Sequence, residues 1–227
     1  MPSVDIGGLS PLDRPSTSEV VTSQIRDKIL DGTFPPGVQL REVMLARQLE
    51  ISRGPLREAL HRLIQEGLLE QRRHRGVFVV RLDESDVADI YFVRKTIEVP
   101  AAIHLARNPS AEAIAALHDL VELMTVAANG HDWARVVQLD SQFHQVVVRS
   151  VGSERLARMF DTLQAETRMC VGALRPAYPV EYEVVVEHQE LLQALLGGDE
   201  ELIRTLWTKH LRDAAANLGA RLDGATS

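Results

Sequence analysis

Cysteine is almost missing from this chain. There is one, Cys170, in 227 residues, so no intrachain disulfide framework can form and a reducing compartment suits the fold. Aromatic residues are scarce at 4%, which leaves the core to aliphatic side chains. No uninterrupted apolar run approaches the ~18 residues of a membrane span, and no basic stretch followed by an apolar one opens the chain. Neither a transmembrane segment nor a secretory leader is therefore expected, no membrane partner is expected, and a cytoplasmic location is. Net positive charge is also absent, because 25 Lys+Arg face 32 Asp+Glu. Apolar side chain is plentiful at 45%, which excludes a disordered polymer and suffices for two modest domains.

A charge of −7 argues against a nucleic-acid partner only if it is spread evenly, and it is not. Residues 1–80 hold 11 Lys+Arg against 10 Asp+Glu, and residues 81–227 hold 14 against 22. Within 52–81 the count is 7 against 3, a local basic patch that confines phosphate attraction to one surface.

That patch lies inside Leu40 to Val80, LREVMLARQLEISRGPLREALHRLIQEGLLEQRRHRGVFVV. Leu45 and Leu49 repeat at i and i+4, and Leu56, Ala59, Leu60, Leu63 and Ile64 form a second apolar stripe, so two short helices pack on each other. Ser52 is placed to cap the second helix, Pro55 falls in its first turn and Gly67 ends it. Away from the stripe Arg53, Arg57 and His61 follow at i, i+4 and i+8, a cationic ridge able to enter a major groove. Leu69 to Arg72 and Val77 to Val80 then read as strands around a turn of Arg73, His74, Arg75 and Gly76, a tip suited to a phosphate backbone or minor groove.

The string SRGPLREAL, followed by EGLL and a hairpin containing RRHRG, resembles the winged helix-turn-helix of the GntR family of bacterial transcription regulators over Glu19 to Val80. That resemblance implies that Arg53 and Arg57 contact duplex DNA, with Gly54 at the start of the recognition helix and Gly76 at the wing tip. In two places the chain departs from the family pattern. Glu50 stands where the family commonly has Gly in the turn, and Val43 stands where the fatty-acid-responsive member has a DNA-contacting Arg.

Read in order, residues 1–17 form a mobile tail with three Pro and two Gly. Ser18 can cap a helix carrying Val21, Ile25 and Ile29, stopped by Gly32, and FPPGVQL supplies a turn. The winged unit spans 18–80 and residues 81–85 form a linker. From 86 to 222 the spacing is helical, with segments near 84–106, 110–128, 132–150, 153–173, 180–197 and 199–219 broken by NPS, NGHD, VGS, RPAYP and GGD. The expected fold class is mainly α, a winged helix-turn-helix followed by an all-α six-helix bundle.

Four polar residues interrupt the apolar stripes of that bundle. Asp140 and His144 stand at i and i+4 beside Phe143 and Val147, His188 lies among Val184, Leu191, Leu192 and Leu195, and His210 follows Leu206 and Trp207. His188 is nine residues before Gly197 and His210 eleven after Asp199, so in an antiparallel pair both lie roughly 14 to 17 Å from the same turn at ~1.5 Å per residue. One carboxylate and three imidazoles aimed inward at matched heights predict a divalent metal site, with Zn, Ni and Mn all suited to oxygen and nitrogen donors. Asp140 to His144, the EHQELLQALLGGD run and His210 resemble the FCD effector domain of the FadR-like branch, and the six-helix layout is similar to the VanR-type subgroup. In that resemblance the four residues hold the ion, and a small carboxylate effector or water completes its coordination.

Arg94 resembles the Arg of the family's R..(L/I)E signature, here Arg94 to Glu98. It could face an effector carboxylate or pair internally with a Glu; Arg168 is a second candidate of that kind. His104, His118 and His131 read as surface or helix-end residues. The function expected is a homodimeric repressor released from its operator by a small carboxylic acid bound at the metal. The alternative is a metal-dependent hydrolase or lyase with a DNA-binding-like appendage, against which stands the lack of HExxH or another evident general base.

Overall fold

The computed structural model describes residues 15–173 and 181–225. The first 14 residues of the expected tail, and the RPAYP break, lie outside the described residues. Helix α1 (Thr17–Leu30) starts inside the segment read as tail, because Ser16 rather than Ser18 caps it. The Ser16 hydroxyl accepts from the Glu19 N–H while the Glu19 carboxylate accepts from the Ser16 N–H, a reciprocal capping box. Ser18 is instead buried within the helix, its carbonyl accepting from the Thr22 hydroxyl. Gly32, at φ +79°, ends the helix as expected.

Strand β1 (Gln39–Leu40), α2 (Glu42–Gln48), α3 (Arg53–Gln65), β2 (Leu69–Arg72) and β3 (Gly76–Val79) complete the N-terminal unit. Sheet order is β1-β3-β2, antiparallel throughout, with Gln39 opposite Phe78 and Glu70 opposite Phe78 on the other side. Strand β1 takes up the end of the expected FPPGVQL turn, since two residues so near Pro-Pro-Gly carry no alternation and only the pairing with β3 makes them a strand. Leu56, Ala59 and Leu63 of α3 are fully buried against Val21, Ile25 and Ile29 of α1, each large apolar side chain contributing about 1.5–3 kcal/mol. Ser52 occupies the cap position of α3, but its side chain makes no capping hydrogen bond. Gly67, at φ +75°, closes α3 and lets the Leu68 N–H reach the Leu63 carbonyl.

Helices α4 (Glu84–Arg107), α5 (Ala111–Asn129), α6 (Trp133–Arg149), α7 (Glu154–Ala173), α8 (Glu181–Gly197) and α9 (Glu200–Ala225) form the bundle. Helix α4 begins within the stretch read as linker, because Asp83 and Asp86 build a second capping box. It packs along α9, while α5 lies on α6 and α8. Two aromatics sit at the bundle's centre: Phe143 and Trp207 are fully buried and stack at 6.5 Å between centroids.

Helix α7 takes part in both cores. Its Ala165 and Met169 are buried among Leu56, Leu60 and Ile25 of the N-terminal cluster, whereas Phe160 and Cys170 belong to the bundle. The Glu166 carboxylate sits so close over Gly67 that a Cβ there would lie 2.8 Å from its oxygen.

Candidate metal centre and nucleic-acid interface

Helix α6 is strongly amphipathic, with Val136, Leu139, Phe143 and Val147 fully buried on one stripe. Asp140 and His144, one turn apart, look out of that stripe toward His188 of α8 and His210 of α9. One donor atom from each of the four lies within 4.8 Å of all the others. His188 Nε2 is 3.2 Å and His144 Nε2 3.8 Å from Asp140 Oδ1, and the Nε2 atoms of His210 and His144 are 3.2 Å apart. The four residues read from spacing alone are brought together.

Each imidazole is held from behind. His188 Nδ1 donates to the Val184 carbonyl at 2.7 Å, His210 Nδ1 donates to Glu187 Oε2 at 2.7 Å, and His144 Nδ1 lies 2.5 Å from Glu98 Oε2. With Nδ1 donating, His188 and His210 turn Nε2 toward the common centre, the arrangement that orients metal-ligating histidines, while His144 Nδ1 has the Glu98 carboxylate beside it without a well-aligned hydrogen bond. Phe143 fixes the rings laterally, edge-on to His188 at 4.8 Å. His188 Nε2 is buried without a hydrogen bond, and two Nε2 atoms can share a proton only if one ring carries it there. A set of three ring nitrogens and a carboxylate oxygen with no thiolate fits a divalent ion of borderline character.

Charge follows the same plan. Burial would raise the Asp140 carboxyl, but His188, His144 and Arg94 overcome it and hold it well below the usual carboxylate range. Burial lowers His210 despite Glu187, while for His188 the neighbouring Asp140 outweighs burial and raises it. Glu98 is fully buried, yet Arg94 and His144 bring it down to about 2.

Arg94 makes the internal pair and keeps one nitrogen unpaired. Its Nε donates to Glu98 Oε1 at 2.7 Å, the internal pair, while its Nη2 is buried without a partner. Arg94 also lines a cavity of about 170 Å³ beside Asp140 and His210, together with Tyr91, Thr167 and Glu187. Arg168 is not among the residues of that cavity. It lines a second one of about 300 Å³, with Asp27 of α1, Asp31 just past its end and Trp133 and Gln138 of α6, and its Nε has no partner. Burial and the nearby Arg26 lower the Arg168 guanidinium. His104, His118 and His131 are exposed and outside the cluster.

Spacing did not single out Glu98 or Glu187 as supports of the histidines. Glu98 stood in the quoted signature, but its contact with His144 depends on how α4 crosses α6. Glu187 immediately precedes His188 and lies off its face, so no periodic pattern marks it.

On the N-terminal unit Arg53, Gly54, Arg57 and His61 are exposed along α3, and Arg73, Arg75 and Gly76 are exposed at the wing tip. Gln39 Nε2 donates to the Arg75 carbonyl at 2.5 Å and would meet a Cβ on Gly76, at φ +99°, at 3.1 Å. Arg57 Nε donates to Glu42 Oε2 of α2 at 2.8 Å.

Residues 89–213, more than half the chain, match the FCD domain, and residues 17–79 match the family described as bacterial regulatory proteins, gntR family. A protein of Paenarthrobacter nicotinovorans designated the probable transcriptional repressor of a D-xylose utilization operon is 31% identical over 199 residues, covering 86% of this chain and 87% of its own length. The gluconate operon transcriptional repressor of Bacillus licheniformis is 28% identical, covering 85% and 81%. Among solved structures, a protein of Rhodococcus sp. RHA1 described as a GntR transcriptional regulator superposes with a TM-score of 0.80 at 26% identity, over 90% of this chain and 98% of that one. No helix among the described residues is long and apolar enough to cross a membrane.

Proposed function

Since the chain belongs to the gntR family of bacterial transcriptional regulators, with an FCD domain behind its helix-turn-helix, we propose that it is a repressor released from its operator by a small carboxylic acid. Asp140, His144, His188 and His210 would hold a divalent ion, Zn, Ni or Mn, and the acid would sit against it in the adjoining cavity. The ion, when bound, supplies a Lewis-acidic anchor for one carboxylate oxygen. Arg94 Nη2, buried and unpaired in the cavity wall, supplies a fixed N–H for the other. The observation that carries the reading is a four-donor cluster two of whose members, Asp140 and His210, line the same space of about 170 Å³ as Arg94, whose Nη2 is buried and unpaired. The six-helix layout supports assignment to the VanR-type subgroup.

A hydrolase or lyase needs a free base beside the donor cluster. The two acids nearest the rings, Glu98 and Glu187, are taken up at His144 and His210, which supports a binding site over a catalytic one. As for DNA, one short recognition helix reads too few base pairs, so two copies related by a two-fold axis would place Arg53, Gly54, Arg57 and His61 in successive major-groove half-sites and Arg73, Arg75 and Gly76 at the flanking backbone.

Coupling between the two sites has a physical carrier in α7. Thr167 lines the cavity while Ala165 and Met169 sit in the N-terminal core and Glu166 abuts Gly67 at the end of α3. An acid that binds better to one placement of α7 than another shifts α3 with it.

The test is elemental analysis joined to a gel shift. Wild-type protein should carry about one equivalent of divalent metal, lose it in His188→Ala/His210→Ala, and release promoter DNA on titration with an acid from a hydroxy- and dicarboxylic acid panel. A full equivalent of metal in the double variant, or no acid that alters DNA binding, would overturn the proposal.

A further inference from the structure

Three guanidinium groups of the N-terminal unit, those of Arg26, Arg72 and Arg57, are paired in two different ways. Arg26 gives both Nε and Nη2 to Glu66, and Arg72 gives both to Glu70 while covering the Phe78 ring at 4.4 Å. Those forks are closed, and the arginines serve the fold. Arg57 gives Glu42 only its Nε, and its side chain is 64% exposed. Four of its five N–H bonds, all on the Nη1 and Nη2 edge, remain open to whatever faces α3. Among the described residues, Arg53, one turn earlier on the same exposed ridge, makes no ion pair.

A guanidinium edge offering parallel N–H bonds matches the O6 and N7 acceptors of guanine, whereas an unrestrained arginine on a DNA-facing helix pairs with whichever phosphate is nearest. Glu42 changes that competition twice. It removes rotamer freedom from Arg57 by holding Nε, and its negative charge disfavours a phosphate at the same spot. From this the geometry points to Glu42 as a specificity-determining positioning residue, which aims Arg57 at a guanine edge and withholds it from the phosphate backbone. The inference rests on the reading, given above, that α3 faces the major groove. A carboxylate on a DNA-facing surface lowers total affinity, so its presence there is explained by selectivity and not by strength of binding.

The sign of the expected effect separates this role from a packing role. Duplexes would be selected from a random-sequence pool by the full-length wild-type protein, and Glu42→Gln and Arg57→Ala would then be compared on the selected duplexes and on unselected ones. Glu42→Gln should lose tenfold or more of the preference for guanine at one position per half-site. It should also bind unselected duplex more tightly, with a log K against log salt slope steeper by about 0.9 per protomer as Arg57 turns to phosphate. Its Tm should stay within about 2 °C of wild type, since exposed pairs contribute little to stability. Arg57→Ala should erase the same guanine preference without the gain on unselected duplex. If Arg57→Ala erases the preference and Glu42→Gln keeps it, the positioning role is wrong while the DNA-facing reading stands. If neither variant changes any base preference, the DNA-facing reading fails and the role of Glu42 with it.

Discussion

Glu50 holds a left-handed backbone, φ +52°, in the turn between α2 and α3. An L side chain there is disfavoured by its own Cβ, and glycine is not. Glu50→Gly should therefore raise the unfolding free energy by about 0.5–1 kcal/mol in urea titrations, the gain being trimmed by the freer unfolded chain; a loss of stability would mean that the Glu50 side chain supports the turn. Arg94 poses a different problem, because it is both a fold element and a candidate ligand contact. Arg94→Ala would leave Glu98 buried without its cation, a loss of about 3–5 kcal/mol that obscures any binding effect. Arg94→Lys keeps the charge beside Glu98 and removes the spare N–H. It should stay folded in thermal melts and bind the effector acid at least tenfold more weakly in calorimetry, and equal affinity would exclude the Nη2 contact.

For helices, the two long-range relations that matter run through α6 and α7. The α6 relation was legible in the sequence: Asp140 and His144 at i and i+4 on an apolar stripe, with His188 and His210 equidistant from one turn, define a cluster before any packing is known. So was α3, whose Arg53, Arg57 and His61 leave the buried stripe at a fixed angle. The supports behind the rings were not legible, since Glu98 reaches His144 only through the crossing of α4 and α6, which no local pattern encodes. Nor was the placement of Arg168, which faces α1 because α7 docks on the N-terminal core. Glu166 on α7 tests that docking. Burial first, and then Asp86 and Asp89 of α4, raise its carboxyl above the ordinary 4.5. The folded chain thus holds this proton more tightly than the unfolded one, so the group is neutral in effect below pH 4.5 and destabilises as pH climbs through its raised value. Glu166→Gln should melt higher than wild type at pH 7.5 and equal to it at pH 4, with a difference of at most about 1 kcal/mol for a half-buried group. A difference that persists unchanged at pH 4 would point to packing on Gly67 instead of charge.

Across the whole molecule, an acidic chain of net charge −7 carries, among the described residues, a cationic patch on the exposed face of α3 and the wing tip. The patch concentrates attraction for duplex DNA on that face. Binding should fall at least tenfold between 50 and 200 mM KCl in fluorescence anisotropy, as phosphate contacts each release counterions; a flat salt profile would overturn the backbone contacts proposed for Arg73 and Arg75.

The membership of Ala165 and Met169 in the N-terminal core has a bearing on how such proteins can be recombined. Cutting at the irregular residues 80–83 between β3 and α4 separates a reading head from its sensor on paper, but it strips two buried side chains from the core of the head. The exchangeable module is therefore discontinuous: residues 15–82 plus one stripe of a helix that lies some eighty residues further along. A chimera that grafts the head onto a foreign sensor will stay folded only if Ala165 and Met169 travel with it.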